Sequence, residues 1–234
     1  MGTRLQTIVP DRPKGLIEIH GETLVGRSAR LLREAGIRQI TIVVGYRAED
    51  YERFAAGERG VHLVRNDAFA TTGSMASLAG GLDGVEEPVL VLESDIMYEQ
   101  RALEVLMTGP DTATLLSGPT GAGDEVWVYA PDGTLHSMSK AARDLPGITG
   151  EFVGITRLSR EACAAMCEAF AQFTARHGHA RMDYETGALV DVAARHPVAA
   201  LLVPDLCWGE IDDDRQLARV VRDVWPRVQV ARPF

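Results

Sequence analysis

The sequence predicts an α/β fold in which helices cover both faces of a mostly parallel sheet. Two observations point to this class. Short apolar runs alternate with helical patterns along the chain, the order expected when strands and helices follow one another. The chain has 234 residues, of which 46% are hydrophobic and 24% charged, and it shows no internal repeat or linker. Residues 1–234 are therefore predicted to form one domain.

The predicted elements come in a regular order. A helix is predicted at 23–35, with Gly36 following its C-terminus. Uninterrupted apolar runs predict buried strands, and Asp132-Gly133 predicts a hairpin turn. The strands are expected at 40–44, 61–64, 88–92, 112–116, 126–129, 151–158 and 198–203, and the later helices at 160–176, 184–195 and 213–224.

The beginning of the sequence is unusual for such a fold. A doubly wound nucleotide-binding sheet opens with a strand that leads into a glycine-rich loop. This sequence opens inside such a loop, so the first and normally central strand is expected to be missing from it.

Composition narrows the class of protein. The net charge of −9 argues against nucleic acid as a partner, because nucleic acid requires a basic face. No apolar run approaches the roughly 20 residues of a membrane span, and no charged start leads into an export signal. Three cysteines form no even disulfide framework. We therefore expect a cytoplasmic protein without a membrane or nucleic-acid partner.

Lysine is rare in this chain. Lys14 and Lys140 are the only lysines among the 24 basic residues, and the others are arginines. Lysine binds phosphate as a compact point charge, whereas arginine is a planar fork. The two lysines are therefore either phosphate ligands or what remains after codon bias.

Two aspartates are candidate metal ligands. Asp95 follows an apolar strand, at the end where open α/β sheets bind ligands. Asp212 precedes the last helix, and two carboxylates from separate strand ends can hold one Mg²⁺. The alternative is that the run 212–214 only caps the helix.

A second candidate site follows the strand at 61–64. Asn66 stands at the strand end, and Thr72, Gly73 and Ser74 open a helix whose first amides could meet a base edge or an anion. Helix capping by Thr72 or Ser74 is the alternative. His177 and His179 lack a third ligand at a fixed spacing and are interpreted as a loop.

Taken together, these segments resemble the nucleoside-triphosphate transferases of the sugar-nucleotidyltransferase type. Gly2-Thr3-Arg4-Leu5 and Pro13-Lys14 match the second half of that group's G-x-G-x-R-L and P-K loop, and Glu210-Ile211-Asp212 matches its late metal motif. Within the group the chain looks most like the 2-aminoethylphosphonate cytidylyltransferases. The order of Gly45-Tyr46, 72–75, 92–95, 138–140, 150–155 and 183–185 carries that similarity.

The resemblance implies a single Rossmann-like nucleotidyltransferase domain with a mixed central sheet, CTP and a small phosphonate as substrates, and Mg²⁺ as cofactor. Arg4 and Lys14 would be catalytic and hold the triphosphate, and Asp95 and Asp212 would hold the metal. The nucleotide site would contain Gly2, Thr3, Gly45, Asn66, Thr72, Gly73, Ser74 and Glu93, with 72–74 reading cytosine. Lys140, Glu151, Asp183 and Glu185 would bind the acceptor.

The tail of the acceptor stays open at this level. An aminoethyl group requires a carboxylate, a hydroxyethyl group requires neutral partners, and a trimethylammonium prefers an aromatic box such as Trp127, Tyr129 and Trp208. The alternatives are therefore a 2-hydroxyethylphosphonate or phosphocholine cytidylyltransferase, or an inactive nucleotide-binding homologue. A homodimer is also considered.

Overall fold

A mixed six-stranded sheet lies at the centre of the computed structural model, which describes residues 12–229. Its strands are arranged in the order β11-β7-β10-β8-β9, with β5 also paired to β10. The strand β11 is parallel to β7, whereas β5, β7 and β8 are antiparallel to β10. The strands of this sheet are β5 Val89–Leu92, β7 Ala113–Ser117, β8 Trp127–Tyr129, β9 Ser137–Ser139, β10 Gly150–Leu158 and β11 Ala199–Val203.

The other strands in residues 12–229 form three two-stranded sheets. Strands β1 and β2 form a short antiparallel hairpin, β3 and β4 pair in parallel, and β6 and β12 pair antiparallel. Their bounds are β1 Glu18–Ile19, β2 Glu22–Thr23, β3 Ile40–Val44, β4 Val61–Arg65, β6 Ile96–Tyr98 and β12 Trp208–Glu210.

Helices pack on both faces of the sheet, as the sequence predicts. On one face, Leu116 and Phe152 lie in a core with α3 and α5; on the other, Leu115 and Ile155 lie in a core with α1 and α4. The helices are α1 Leu24–Glu34, α2 Ala48–Ala55, α3 Ser74–Leu82, α4 Arg101–Thr108, α5 Arg160–His177, α6 Val190–Ala193, α7 Asp214–Arg219 and α8 Trp225–Val228. Within the described range, no helix is long and apolar enough to cross a membrane.

The strands expected at 40–44 and 88–92 are present, but they are less buried than predicted. Three of five residues in β3 and all four of β5 are partly exposed. Within residues 12–229, β10 is the only strand bonded to β5, and the pair β3–β4 is bonded to no other strand. Both strands nevertheless contribute side chains, Ile40 and Leu90 among them, to the same core cluster.

Two of the predicted helices are irregular. The segment expected as a helix at 184–195 begins with a π-helical turn, Tyr184–Leu189, before α6, and the last helix widens into a second π-helical turn, Val220–Val224, after α7. The second turn precedes Pro226, which has no amide hydrogen for a regular helical bond. The first turn buries both Tyr184 and Glu185.

Candidate active site

Acidic residues from two distant segments meet at one end of the sheet. Glu93 and Asp95 follow β5, and the antiparallel register of β6 with β12 places Glu210 opposite Ile96. The Ile211 amide donates to the Asp95 carbonyl at 3.0 Å, which fixes the two segments together. As a result, carboxylate oxygens of Glu93, Asp95 and Glu210 lie within 4.8 Å of one another. We call these three residues the acidic cluster.

Lys14 lies between the two predicted metal ligands. It begins a single 3-10 turn, Lys14–Leu16, and its Nζ is 3.1 Å from Asp95 Oδ2 and also contacts Asp212 Oδ1. Burial acts to lower the pKa of Lys14, but attraction to Asp95 and Asp212 outweighs it and the pKa is raised. Lys14 is therefore held as an ammonium between two carboxylates.

Two carboxyls of the acidic cluster have raised pKa values. Burial, followed by repulsion from Asp95 and Glu185, raises the pKa of Glu93 to about 8. Burial, followed by repulsion from Asp95, Glu93 and Asp212, raises the pKa of Glu210 to about 9. Burial and mutual repulsion thus both favour the protonated forms of Glu93 and Glu210.

Two neighbours fix the carboxylate of Glu93. The buried Tyr184 donates its hydroxyl to Glu93 Oε1 at 3.1 Å. Gly154 lies in the irregular part of β10 at φ +82°, and a Cβ there would come 2.8 Å from Glu93 Oε2. The carboxylate thus occupies space that any side chain at position 154 would fill.

A cleft of about 610 Å³ opens beside the acidic cluster. Lys14, Glu93, Glu210 and Asp212 line its inner end, and Lys140 and Arg219 are its further cations. The predicted acceptor residues Glu151 and Glu185 also line it, together with the loop Thr120–Val126, Phe152 and Trp208. Trp127 and Tyr129 are not among its lining residues, so only Trp208 of the suggested aromatic box faces the cleft.

Glu151 and Glu185 are both buried but differ in their partners. Glu151 accepts from the Thr120 amide at 2.6 Å and from its hydroxyl at 2.8 Å, whereas Glu185 accepts one longer bond of 3.4 Å from Ser74. Burial raises the pKa of both carboxyls. The carboxylate of Glu185 therefore has more free acceptor capacity than that of Glu151.

The predicted base-reading loop is bonded to the π-helical turn. The Tyr184 amide donates to Ser74 Oγ at 2.9 Å, and the Gly73 amide donates to the Ala180 carbonyl at 2.8 Å. A Cβ on Gly73 would lie 2.2 Å from the Met182 carbonyl oxygen, so only glycine fits. Asn66 Nδ2 donates to Thr72 Oγ1 at 3.1 Å, which ties the strand end to the same loop.

Gly45 is also fixed by close packing, because a Cβ there would lie 2.6 Å from the Phe69 ring.

The exposed Asp183 does not line the cleft. It faces a second cavity of about 390 Å³ beside α5. Gly2, Thr3 and Arg4 lie outside the described residues, so their predicted roles stay predictions.

The acidic residue that sequence reasoning did not assign is Glu210. It stands two positions before Asp212, and alternate residues of an extended segment point to the same side. That spacing was the available signal for a further carboxylate at the metal site.

Comparison with protein families decides the class of this chain. Residues 1–212 match the MobA-like NTP transferase domain. The chain belongs to this family. Its relatives are nucleotidyltransferases, so the predicted enzyme class is confirmed.

Similar curated proteins include phosphonate and phosphocholine enzymes. The 2-aminoethylphosphonate cytidylyltransferase of Lancefieldella rimae is 24% identical over 88% of this chain and 84% of its own length. The CMP-5'-(3-aminopropyl)phosphonate synthase of Streptomyces rubellomurinus is 27% identical over 49% of this chain, and the choline-phosphate cytidylyltransferase of Streptococcus pneumoniae is 35% identical over 33%. The aligned segments span only 19% and 34% of those two relatives.

Solved structures confirm the Rossmann-like nucleotidyltransferase fold. The CTP:phosphocholine cytidylyltransferase of Streptococcus pneumoniae covers 94% of this chain and 93% of its own, with a TM-score of 0.74 and 18% identity. The inositol-1-phosphate CTP transferase of T. maritima covers 100% of this chain and 94% of its own, with a TM-score of 0.78 and 16% identity. At these identities the likeness shows the fold alone.

Proposed function

We propose that this protein is a cytidylyltransferase that joins CTP to a small phosphonate, preferably 2-aminoethylphosphonate, giving a CMP-phosphonate and pyrophosphate. The similarity to the Lancefieldella enzyme along nearly the whole chain supports the reaction class. The observation that carries the proposal is the cleft, in which a half-buried acidic cluster with Lys14 shares the lining with two further cations of the described residues, Lys140 and Arg219.

The carboxylates of the site fit Mg²⁺. Their oxygens are hard ligands, and oxygens from three of the carboxylates lie within 4.8 Å of one another. After burial, mutual repulsion is the next cause of the raised pKa values of Glu93 and Glu210, and a bound cation would relieve it. Asp95 and Asp212 would hold the ion, with Glu93 and Glu210 beside them. When bound, Mg²⁺ supplies charge neutralisation that lets two anionic substrates approach each other.

The side chains of the site then position and neutralise the reactants. A phosphonate oxygen forms a bond to the α-phosphorus of CTP, and the bond from that phosphorus to the bridging oxygen breaks, so its electron pair leaves with pyrophosphate. The attacking oxygen is already ionised at neutral pH, which removes the need for a general base. Lys14 and Arg4 would offset charge on the departing pyrophosphate, and Lys140 would meet the phosphonate.

The nucleotide would bind on the side of the cleft formed by the first half of the chain. Gly2, Thr3 and Gly45 would approach the nucleotide closely through their backbone, with Asn66 nearby. Thr72, Gly73 and Ser74 would read cytosine. The hydrogen bonds from this loop to Ala180 and Tyr184 support a rigid reading edge, since they hold the backbone in one position.

The carboxylates of the cleft favour an ammonium tail on the acceptor. A buried ammonium requires a carboxylate within hydrogen-bond reach, and Glu185 has the acceptor capacity for it. Glu151 already accepts two bonds from Thr120, and Asp183 lies at the other cavity. Glu185 is therefore our first choice for the aminoethyl group.

Phosphocholine is the second candidate acceptor. It is supported by the 35% identity to the pneumococcal choline-phosphate enzyme over 78 residues. Of the residues that the structure describes, Phe152 and Trp208 provide the aromatic surface of the cleft, and the indole of Trp208 already donates to Ser117 Oγ at 2.7 Å. This lining favours a primary ammonium over a trimethylammonium.

Pyrophosphate release tests the proposal directly. The protein is incubated with Mg²⁺ and each nucleoside triphosphate in turn, together with 2-aminoethylphosphonate, 2-hydroxyethylphosphonate or phosphocholine. We expect the highest kcat/KM with CTP and 2-aminoethylphosphonate, and a selective loss for that acceptor in Glu185→Gln but not in Asp183→Asn. A preference for the hydroxyethyl compound or phosphocholine would reject the assignment of the acceptor. The absence of pyrophosphate with every pair would indicate an inactive nucleotide-binding homologue.

A further inference from the structure

Arg219 is a cleft cation that the sequence patterns did not single out. It is the last residue of α7 and lines the same cleft as Lys140 and Glu210. With the residues in 12–229 its side chain forms no ion pair or hydrogen bond, and its Nε is buried without an acceptor. Asp223, one helical turn further on, is bonded to Arg222 instead.

Shape rather than charge pairing holds this guanidinium in place. A Cβ on Gly209 would lie 2.8 Å from an Arg219 Nη and 3.4 Å from its Cζ, so the guanidinium rests against the backbone of β12. Gly209 directly precedes Glu210 of the acidic cluster. The strand that carries a carboxylate of the site thus also provides the surface against which Arg219 lies.

Within residues 12–229, no carboxylate pairs with the charge of Arg219. The charge of Arg219 acts to lower the pKa of Glu151, which burial raises overall, and both oxygens of Glu151 already accept bonds from Thr120. A buried N–H without an acceptor carries a desolvation cost that a ligand oxygen would remove. A guanidinium offers paired donors that match the oxygens of a phosphonate or phosphate group.

We propose that Arg219 binds the phosphonate group of the acceptor from the β12 side of the cleft. This inference rests on the proposed function, because it requires an acceptor with a phosphonate or phosphate group. Arg219 would hold oxygens that do not react and would offset the negative charge of the incoming group. One oxygen then remains free to bond to the α-phosphorus while pyrophosphate leaves.

Selective changes in KM test this role. Arg219→Gln removes the charge, Arg219→Lys keeps it without the fork, and Arg222→Gln makes the same change at an exposed arginine outside the cleft. We expect Arg219→Gln to raise the KM for 2-aminoethylphosphonate by about 10- to 100-fold, the range of a lost charge-assisted hydrogen bond. The KM for CTP should change by less than about twofold, Arg219→Lys should restore part of the loss, and Arg222→Gln should match the parent.

Binding and melting measurements separate this role from a structural one. Calorimetric titration of 2-aminoethylphosphonate into the protein with Mg²⁺ should show the same selective weakening in Arg219→Gln, with a melting temperature close to that of the parent. An unchanged acceptor affinity, an equal rise in both KM values, or binding of neither 2-aminoethylphosphonate nor phosphocholine by the parent would overturn the proposal.

The role of Arg219 can also be tested if the protein uses a different acceptor. If the parent prefers phosphocholine, the substrate assignment under the proposed function fails. Arg219→Gln should then raise the KM for phosphocholine selectively, because that molecule presents the same type of anionic group. Unchanged KM for phosphocholine in that case would overturn the role of Arg219 by itself.

Discussion

The two lysines of this chain lie in opposite environments within one cleft. Lys14 at the inner end contacts both Asp95 and Asp212, and about a quarter of its side chain is exposed. Lys140 lines the same cleft, is exposed and, among residues 12–229, has no ion-pair partner, although its charge acts on Glu93 and Glu185 from a distance by lowering their pKa. Lys14 is held by direct contact with two carboxylates, whereas Lys140 forms no ion pair within residues 12–229 and can contact a ligand.

This difference separates two tasks of the site. The inner end must hold several carboxylates close together, and Lys14 offsets part of their repulsion. The outer wall must attract an anion past those carboxylates, which requires cations without partners of their own. The expected effects of substitution therefore differ in size and in kind at the two ends.

The largest effect is expected from removing a carboxylate that contacts Lys14. Asp95→Asn or Asp212→Asn should lower Mg²⁺-dependent turnover by about a thousandfold, since a lost metal ligand removes several kcal/mol of charge stabilisation. Asp83→Asn is the matched control, because Asp83 is exposed at the end of α3. The measurement is the rate of pyrophosphate release, with circular dichroism to check folding. Parent-like rates in either variant would remove that residue from the site.

Exchange of each lysine for arginine compares the two environments directly. Lys14→Arg should lose about a hundredfold in kcat, because a planar fork cannot take the place of a compact ammonium between two carboxylates. Lys140→Arg should lose no more than about tenfold, mainly in the KM for the acceptor, because its surroundings are open. Steady-state kinetics with both substrates measure this contrast. Equal losses of activity in the two variants would contradict this contrast. Full activity in both variants would favour codon bias as the reason for the two remaining lysines.

Of the two lysines, Lys14 is the one whose replacement should change the affinity for a metal ion most. Lys14→Met removes a cation that contacts the two predicted metal ligands, so the protein alone should bind Mn²⁺ about tenfold more tightly, the size of one exposed charge pair. Lys140→Met should strengthen Mn²⁺ binding less than Lys14→Met, because Lys140 acts on Glu93 only from a distance and contacts neither aspartate. Titration of Mn²⁺ followed by electron paramagnetic resonance gives both dissociation constants without any substrate. Weaker binding in Lys14→Met would show that Lys14 does not compete with the metal.

The smallest effect concerns the packing behind the acidic cluster. Gly154→Ala places a Cβ against Glu93 at a positive φ, whereas Gly133→Ala at φ +78° meets no atom within 4 Å. Both changes carry the backbone cost of about 1 kcal/mol, and Gly154→Ala should destabilise the protein by about 1–2 kcal/mol more. Urea denaturation measures the difference between the two variants. Equal losses of stability would mean that Glu93 can move aside.

Local patterns in the sequence were enough for most of the elements. The capped first helix is present because Thr23 accepts from the Gly26 amide at 3.0 Å, as a helix N-cap does. The buried strands follow their apolar runs. The pairs β1–β2 and β6–β12 could not be predicted in this way, since strands of two or three residues are too short for a periodic pattern.

The sequence by itself determined the chemistry available to this protein: a lysine shortly after Gly2-Thr3-Arg4-Leu5, aspartates at strand ends, and a scarcity of other lysines. Tertiary structure alone decided which of these groups meet. The register of β6 with β12 brings Glu210 to Asp95, and the π-helical turn directs Tyr184 to Glu93 while Asp183 lies at another cavity. The physical reason is that periodicity and capping act over a few neighbouring residues, whereas the meeting of strand ends depends on pairing and packing between segments more than 100 residues apart.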